Sequence, residues 1–334
     1  MKHLIMYIVG VFIFSGCEVK NKDNLTMARS NVDFSNYCVG RSSINIPSSY
    51  QLADGTSGSF KFNGTSDDDS SIAVVVSKTT MDQAKFSAEI NRRRAALKAA
   101  ADETTDIFRH EEKLAAEAVL FRINRIDDAY VSEINFLRGP AFVTATIKSW
   151  DEKFLDAESV LEKFVQGVQL RVDGSSGAFC LGPVSVSGNF SEETGNYLFV
   201  DTVQRGNSLN LDIDTFRPDE KISLLQRMSG PDSLLTKFQS DHKVIRAKKT
   251  SFANMNGEEW LGSIKLGEPE HPKKFKFVLE STRSAPSRLA PYFHLSFETG
   301  KTLDDGNVDK TIISDDEAVR QWDAIVASVQ PMKP

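Results

Sequence analysis

The chain has 334 residues, of which 40% are hydrophobic and 26% are charged, an ordinary composition for a globular protein with room for two domains of common size. Its formal net charge of −6 argues against nucleic acid and against an anionic membrane surface as binding partners. Beyond the lipid anchor argued next, we therefore expect no nucleic-acid and no membrane contact.

The first residues are typical of an export signal. Lys2 and His3 precede an apolar run, Leu4 to Phe14, that is too short to span a bilayer. The sequence Phe14-Ser15-Gly16-Cys17 then resembles a bacterial lipobox. We predict a signal peptide over 1–16, lipidation (including palmitate) of Cys17, and a polar tether over 17–36. An uncleaved anchor and a plain secretory signal are the alternatives.

This signal predicts a periplasmic protein that is lipid-anchored to the cell envelope. Glu18, and not the aspartate that typically retains lipoproteins at the inner membrane, follows the lipidated cysteine, which favours the outer membrane.

The chain also contains an internal duplication. Tyr37-Cys38-Val39-Gly40 opens one half and Phe179-Cys180-Leu181-Gly182 opens the other. The sequence Asp173 to Gly177 between them is typical of a linker. We therefore predict two similar domains, at 37–172 and 178–331.

In the first half the pattern begins with strands and continues with a helix that starts at the capping box Thr80-Met81-Asp82-Gln83 and runs to about Ala101. Alternation and β-branched residues predict the strands, and helical spacing of apolar residues predicts a final helix. The strands are predicted at 42–46, 72–77, 108–113, 118–126, 130–137 and 142–150, and the final helix carries Val160, Leu161, Phe164, Val165 and Val168 on one stripe.

The second half repeats this order. A helical segment from Pro218 to Met228 is interrupted at Ser229-Gly230-Pro231 and resumes over 234–238, and a second helix follows the capping box Ser314 to Glu317. The strands are predicted at 184–186, 209–216, 244–252, 258–265, 274–280 and 292–298. Each half thus reads β-β-α-β-β-β-β-α. This order predicts an α+β protein of two domains, each an antiparallel sheet with helices on one face.

Cys38 and Cys180 occupy equivalent places in the two halves. Equivalent residues can meet if a pseudo-twofold axis passes near them, and an exported protein folds in an oxidising compartment. We predict a Cys38–Cys180 disulfide, with two buried thiols as the alternative. Two cysteines without matched histidines make a zinc site unexpected.

Catalytic motifs are missing from the sequence. His110, His242, His271 and His294 have no companion at metal-ligand spacing, and no Gly-x-Ser-x-Gly occurs. Gly300-Lys301-Thr302 lacks the earlier glycine of a phosphate-binding loop. We predict no enzymatic activity, no metal and no cofactor.

One irregular stretch, Asp54 to Ser71, is a candidate partner-binding region. Its apolar residues Phe60 and Phe62 could anchor a partner if exposed, and local packing is the alternative. Asp67, Asp68 and Asp69 extend the same candidate region as a charged loop. Separately, Arg92-Arg93-Arg94 cannot share one helix face, so a solvated surface is expected, with contacts to acids as the alternative.

Several motifs together resemble a known family, the two-domain immunity proteins that protect bacteria from lipase effectors of the type VI secretion system. The similarity spans about 37 to 331, nearly the whole mature chain. The motifs are Cys38-Val39-Gly40-Arg41 with a strand ending at Pro47, Phe179-Cys180-Leu181, Asn256-Gly257-Glu258-Glu259, the strands between Phe277 and Gly300, and the helix Ser314 to Ser328 with Trp322-Asp323-Ala324-Ile325.

The resemblance implies inhibition by binding. The partner would be a cognate phospholipase effector, which two domains grip so that substrate entry or lid opening stops. The alternative functions are an envelope lipoprotein that binds a small ligand or an envelope component, and an enzyme with an unrecognised carboxylate site.

Overall fold

The computed structural model describes residues 32–63, 71–77, 80–103, 107–126, 128–171, 177–217, 222–230, 242–265, 273–282, 287–288, 290–300 and 313–332. Residues 33–334 form one compact unit. None of the helices in the described ranges is long and apolar enough to cross a membrane.

The first half contributes ten strands and two helices. The strands are β1 (Phe34–Val39), β2 (Ser42–Pro47), β3 (Tyr50–Leu52), β4 (Thr56–Phe62), β5 (Ile72–Ser77), β6 (Ile107–Ala115), β7 (Ala118–Ile126), β8 (Ala129–Arg138), β9 (Ala141–Trp150) and β10 (Val168–Leu170). Helix α1 (Gln83–Glu103) follows β5, and α2 (Phe154–Gly167) follows β9 after one 3₁₀ turn.

The second half repeats the series with shorter helices. Its strands are β11 (Phe179–Leu181), β12 (Val184–Val186), β13 (Phe190–Asp201), β14 (Ser208–Asp214), β15 (His242–Phe252), β16 (Met255–Ile264), β17 (Lys274–Thr282), β18 (Tyr292–Glu298) and β19 (Gln330–Pro331). Helix α3 (Leu224–Ser229) follows β14, and α4 (Asp315–Ala327) precedes β19.

One large antiparallel sheet runs through both halves. Its order is β15-β16-β17-β18-β14-β13-β4-β5-β9-β8-β7-β6, and β3 pairs with the end of β13. The order repeats from either end, and the halves meet where β4 pairs with β13. The predicted duplication is therefore visible in the strand order. The division into domains at 37–172 and 178–331 stays a prediction.

The halves also exchange their last strands. β10, the end of the first half, pairs with β12, and β19, the end of the second half, pairs with β2. Two small sheets result, β1-β2-β19 and β10-β12-β11. Each small sheet therefore contains strands from both halves.

The core explains the local structure. One face of β5 and β14 is buried and the other is not, as their alternation predicts. Helix α2 buries Leu161 and Phe164 in the main core, and α4 begins at Ser314, whose side chain accepts from Glu317 N at 3.2 Å. For α1 the capping residue is Asp82, which accepts from Lys85 N at 2.8 Å, and not the predicted Thr80.

The α+β class with antiparallel sheets is confirmed, but the placement of helices on one face was wrong. α2 and α4 pack on the face that forms the main core. Helix α1 packs on the opposite face, where Phe86 and Ile90 meet Val119 and Phe121 of β7. The alternation of β7 sends successive side chains to both faces, so both need a cover.

Other predicted elements need correction. Strands β3, β4 and β13 are missing from the predicted pattern, and β1 begins at Phe34, within the predicted tether. His242 is the first residue of β15, which therefore begins two residues before the strand predicted at 244–252. The second-half helix begins at Leu224, with a capping box between Ser223 and Gln226, while 218–221 and 231–241 lie outside the described residues.

Candidate functional site

The first candidate region is the seam where the two halves cross. A disulfide joins Cys38 to Cys180, so this prediction is confirmed. Beside it, Gly40 N donates to Cys180 O at 3.1 Å and Cys180 N donates to Gly40 O at 2.7 Å. The disulfide thus lies within a short antiparallel bridge between equivalent segments.

Two buried polar groups complete this crossing. The Tyr197 hydroxyl is fully buried; it donates to Cys180 O and accepts from Gly40 N at 2.8 Å. Burial raises the pKa of Tyr197, so the hydroxyl keeps its proton. Arg41 forms a two-pronged contact with the buried Glu193, at 2.8 Å from Nε and 2.6 Å from Nη2. These bonds hold the halves together and leave no reactive group free at the seam among the atoms described.

A cavity of about 110 Å³ lies beside the seam. Its wall is mostly apolar and comes chiefly from the second half, including Phe179, Ile213, Met255 and Met332, while the first half contributes Arg41 and Ser42. The two arginines in its lining, Arg41 and Arg288, are both within ion-pair distance of Glu193. One buried carboxylate is therefore shared by two guanidinium groups.

The second candidate region is an open face of the large sheet. We use this name for the side of β5, β4, β13 and β14 that lies opposite the main core. Within the described residues no helix covers it. Its side chains include those of Ala73, Val75, Ser57, Ser59, Thr194, Asn196, Leu198, Asn210, Asp212 and Asp214.

Helices α1 and α3 border the open face on its two sides. Arg93 of α1 contacts Glu133 of β8 at 2.6 and 2.9 Å, and Arg227 of α3 contacts Glu280 of β17 at 2.5 and 2.6 Å. In each half, therefore, an arginine on the helix after the second long strand binds a glutamate on the third strand of the meander. Small apolar clusters lie under both helices.

The electrostatics differ between the two sides. Burial alone would raise the pKa of Glu280, but hydrogen bonds from His294 and Arg227, with their charges, lower it overall. Burial lowers the pKa of Lys276 on the same strand. Next to these groups, β14 presents Asp212 and Asp214, whereas β5 presents Ala73 and Val75 to the open face.

Several polar side chains of the open face are bonded to one another. The hydroxyls of Ser59 and Thr194 are 2.8 Å apart, and Asn196 donates to Asp212. His294 Nδ1 lies 3.0 Å from Glu280, but that carboxylate is also held by Arg227. In the described part of the chain no group of acidic, cysteine and histidine residues could hold a metal ion.

Two of the predicted partner-binding residues, Phe60 and Phe62, lie on strand β4. Phe60 is fully buried in β4, its ring packed against Phe164, Phe179 and Phe190, so its prediction as an exposed anchor was wrong. Phe62 is half-buried, with its ring 4.7 Å from that of Phe190. Phe60 is buried because its side chain points into the core formed by both halves, and Phe62 packs at the edge of that core.

Other predicted residues fall elsewhere. Asp67, Asp68, Asp69, Cys17 and His271 lie outside the described residues. His110 and His294 lie in strands β6 and β18, as predicted.

Two of the three arginines of α1, Arg93 and Arg94, meet acids of the sheet, as the alternative foresaw, whereas Arg92 stays exposed and pairs within its own helix. Arg92 binds Glu89, Arg93 binds Glu133, and Arg94 binds Glu111. Sequence reasoning missed Glu133, Glu193 and Glu280, whose buried carboxylates lie inside strands and are paired with distant arginines.

Comparison with solved structures places the fold among immunity proteins of the type VI secretion system (T6SS). The immunity protein TplEi from Pseudomonas aeruginosa, complexed with an "L" peptide, has a TM-score of 0.63 at 15% identity, over 90% of this chain and 99% of that chain. Apo TplEi has a TM-score of 0.65 at 15% identity, over 90% and 97%. A chain of the Tle4–Tli4 complex has a TM-score of 0.65 at 16% identity, also over 90% and 97%.

The sequence comparison is more specific. Residues 176–333 match the family described as the Tle cognate immunity protein 4 C-terminal domain. No curated protein matches the chain by sequence. The resemblance to immunity proteins is confirmed, and these relatives are immunity proteins rather than enzymes, in agreement with the prediction of no enzymatic activity.

Proposed function

We propose that the protein is an immunity protein that binds and inhibits a phospholipase effector of the type VI secretion system. The observation that carries the proposal is the match of residues 176–333 to the Tle cognate immunity protein 4 C-terminal domain. The complex of Tle4 with Tli4 supports it, because a chain of that complex shares this fold over 90% of the present chain. The partner is therefore a Tle-type effector, and the effect on it is inhibition by contact.

The architecture supports inhibition by a rigid surface. The crossing of the halves is fixed by the disulfide, by Tyr197 and by the Arg41–Glu193 pair, so the open face and its bordering helices are held in one arrangement. A preformed surface loses little conformational entropy on binding, which favours tight complexes. Protection against an enzyme that destroys membranes requires slow dissociation, the step at which affinity is mostly tuned.

The inhibition is tested with the soluble protein beginning near Lys20 and the cognate phospholipase, sought first among the products of neighbouring genes. We expect a one-to-one complex on calorimetry and complete loss of phospholipid hydrolysis at stoichiometric concentration. A matched control is bovine serum albumin at the same concentration, which separates inhibition from adsorption of substrate. Full hydrolysis at micromolar immunity protein, with no heat of binding, would reject the proposal. Retention of a lipid or glycan by the purified protein would instead support the alternative of a small-ligand lipoprotein.

We also propose that the protein acts in the periplasm, anchored through lipid on Cys17. The lipobox-like sequence and the Cys38–Cys180 disulfide support this location, because structural disulfides persist in oxidising compartments. Metabolic labelling with palmitate should label the wild type and not the Cys17→Ser variant. Fractionation should place the labelled protein with the outer membrane; recovery in the cytoplasm would contradict the proposal.

A further inference from the structure

The connection between β13 and β14, residues 202–207, is unusually well fixed for a surface loop. Asp201 N donates to Asn207 O at 3.1 Å, closing the base of the loop. The Asp201 carboxylate accepts from Val203 N at 2.9 Å, and Asn207 N donates to Gln204 O at 2.8 Å. Asp201 and Asn207 are both buried. Two buried polar side chains therefore fix the backbone of this loop.

The first half of the chain also holds this loop, through β3 and the turn before it. Strand β3 lies off the main order of the sheet and pairs with the end of β13, with Tyr50 opposite Asp201. The turn before β3 accepts two hydrogen bonds at Ser49 O, each 2.8 Å long, from the backbone and hydroxyl of Thr202. Tyr50 is buried, and its pKa is raised by burial and by Asp201 and lowered in part by a hydrogen bond with Asn207.

The 202–207 loop carries one apolar side chain, that of Val203, which we call its apolar tip. Val203 is 78% exposed, the largest exposed fraction among the large hydrophobic residues described as exposed. An isolated exposed valine needs no explanation, but one on a loop fixed by buried polar groups from both halves is prepared for contact. Fixing the loop beforehand removes the entropy cost of ordering it in a complex.

We propose that the 202–207 loop inserts Val203 into the apolar cleft through which the effector binds the acyl chain of its lipid substrate. The inference rests on the proposed function, because it names the region of the partner that the loop occupies. An enzyme that cleaves lipids must present an apolar cleft to the acyl chain, and such clefts are largely preformed. A rigid loop with an apolar tip matches this cleft and blocks substrate entry.

The duplication gives this loop a counterpart in the first half. The connection between β4 and β5 holds the same place in the strand order and contains Asp67, Asp68 and Asp69, which lie outside the described residues. In that counterpart the corresponding segment is acidic, whereas the 202–207 loop has no exposed acid among its members. An apolar side chain is therefore present in only one of the two equivalent connections, so we expect the contact with the effector to involve the second half.

The test uses the complete soluble protein and the cognate effector. Val203→Glu places a charge at the tip, and Val203→Leu keeps it apolar. The matched control is Val244→Glu, which changes another exposed valine, on β15 at the far end of the sheet. Each variant is titrated against phospholipid hydrolysis and against labelling of the effector by a serine-directed fluorophosphonate. Thermal unfolding confirms that the variants fold as the wild type does.

We expect Val203→Glu to require about tenfold or more additional protein for half-inhibition and to restore fluorophosphonate labelling, since a central apolar contact carries a large share of binding energy. Val203→Leu and Val244→Glu should inhibit and protect as the wild type does. If the wild type inhibits and Val203→Glu inhibits and protects equally well, the loop assignment is overturned while the proposed function stands. If the wild type itself neither inhibits nor binds, the proposed function fails.

Discussion

Three of the four residues from Cys38 to Arg41 bond to the second half of the chain. Cys38 forms the disulfide, Gly40 exchanges hydrogen bonds with Cys180, and Arg41 binds Glu193. Gly40 has a φ of 57°, and a Cβ there would lie 2.8 Å from Ile213 Cδ1, so only glycine fits without strain. The segment from Cys38 to Arg41 thus joins the two halves.

The residue-scale predictions succeeded where the duplication supplied the geometry. Cys38 and Cys180 could be paired because equivalent residues of a duplicated chain can meet near a pseudo-twofold axis. Glu193 could not be paired with Arg41, because a contact between residues so far apart leaves no periodic signal in one sequence. Phe60 was misjudged because its glycine and serine neighbours indicate a loop, whereas burial between the halves decides its position.

The first prediction concerns Glu280 and pH. Its pKa lies below the ordinary 4.5 because Arg227 and His294 favour the charged form, so the folded protein binds this proton less readily than the unfolded chain. The stabilisation is complete above pH 4.5 and is lost as the pH falls through the lowered pKa. Glu280→Gln should therefore cost about 1–3 kcal/mol at pH 7 and progressively less below pH 4.5.

Urea unfolding at several pH values between 7 and 3 measures this difference. Glu258 of β16 also faces Glu280, so the wild type and the variant must be compared at each pH to isolate one carboxylate. Glu89→Gln is the matched control, because the Glu89–Arg92 pair is more exposed and should give a smaller difference. A constant gap between wild type and Glu280→Gln at every pH would contradict the assignment.

At the scale of elements, the strands that join the halves were the hardest to predict. The β4 sequence Thr56 to Phe62 contains Gly58 and four polar residues, and β13 contains Gly195 within a polar stretch. Strand prediction from sequence depends on a half-buried surface with β-branched side chains, which are few in these two strands. The regular strands β7, β9 and β18 were predicted nearly to the residue because their side chains alternate between the two faces of the sheet.

The second prediction concerns Gly58. A Cβ at this position would lie 2.3 Å from Thr194 O and 3.2 Å from Leu181 Cδ1, so the β4–β13 pair has no room for a methyl group. Gly58→Ala should destabilise the fold by about 1–3 kcal/mol, the usual cost of overpacking. Ser57→Ala on the open face of the same strand is the control and should change the urea midpoint little. Equal midpoints for Gly58→Ala and the wild type would show that β4 and β13 can separate locally.

At the scale of the whole molecule, the duplication has produced two interlocked halves. Each small sheet takes a strand from the other half, and the large sheet continues across the β4–β13 pair. Sequence analysis could identify two copies of one pattern but not this exchange, because β10 and β19 are too short to show a pattern of their own. The strand exchange argues that neither half has a complete small sheet without the other.

The third prediction follows from that exchange: both halves should unfold in one transition. Hydrogen exchange followed by mass spectrometry should give peptides from β7–β9 and from β16–β18 the same urea midpoint. Replacing Cys38 and Cys180 by serine should lower the stability by about 2–5 kcal/mol, because the disulfide closes a long loop in the unfolded chain. The single transition should survive this change, since the β4–β13 ladder and the Arg41–Glu193 pair still connect the halves. Two separate midpoints in the oxidised protein would mean that the halves behave as independent domains despite their shared sheets.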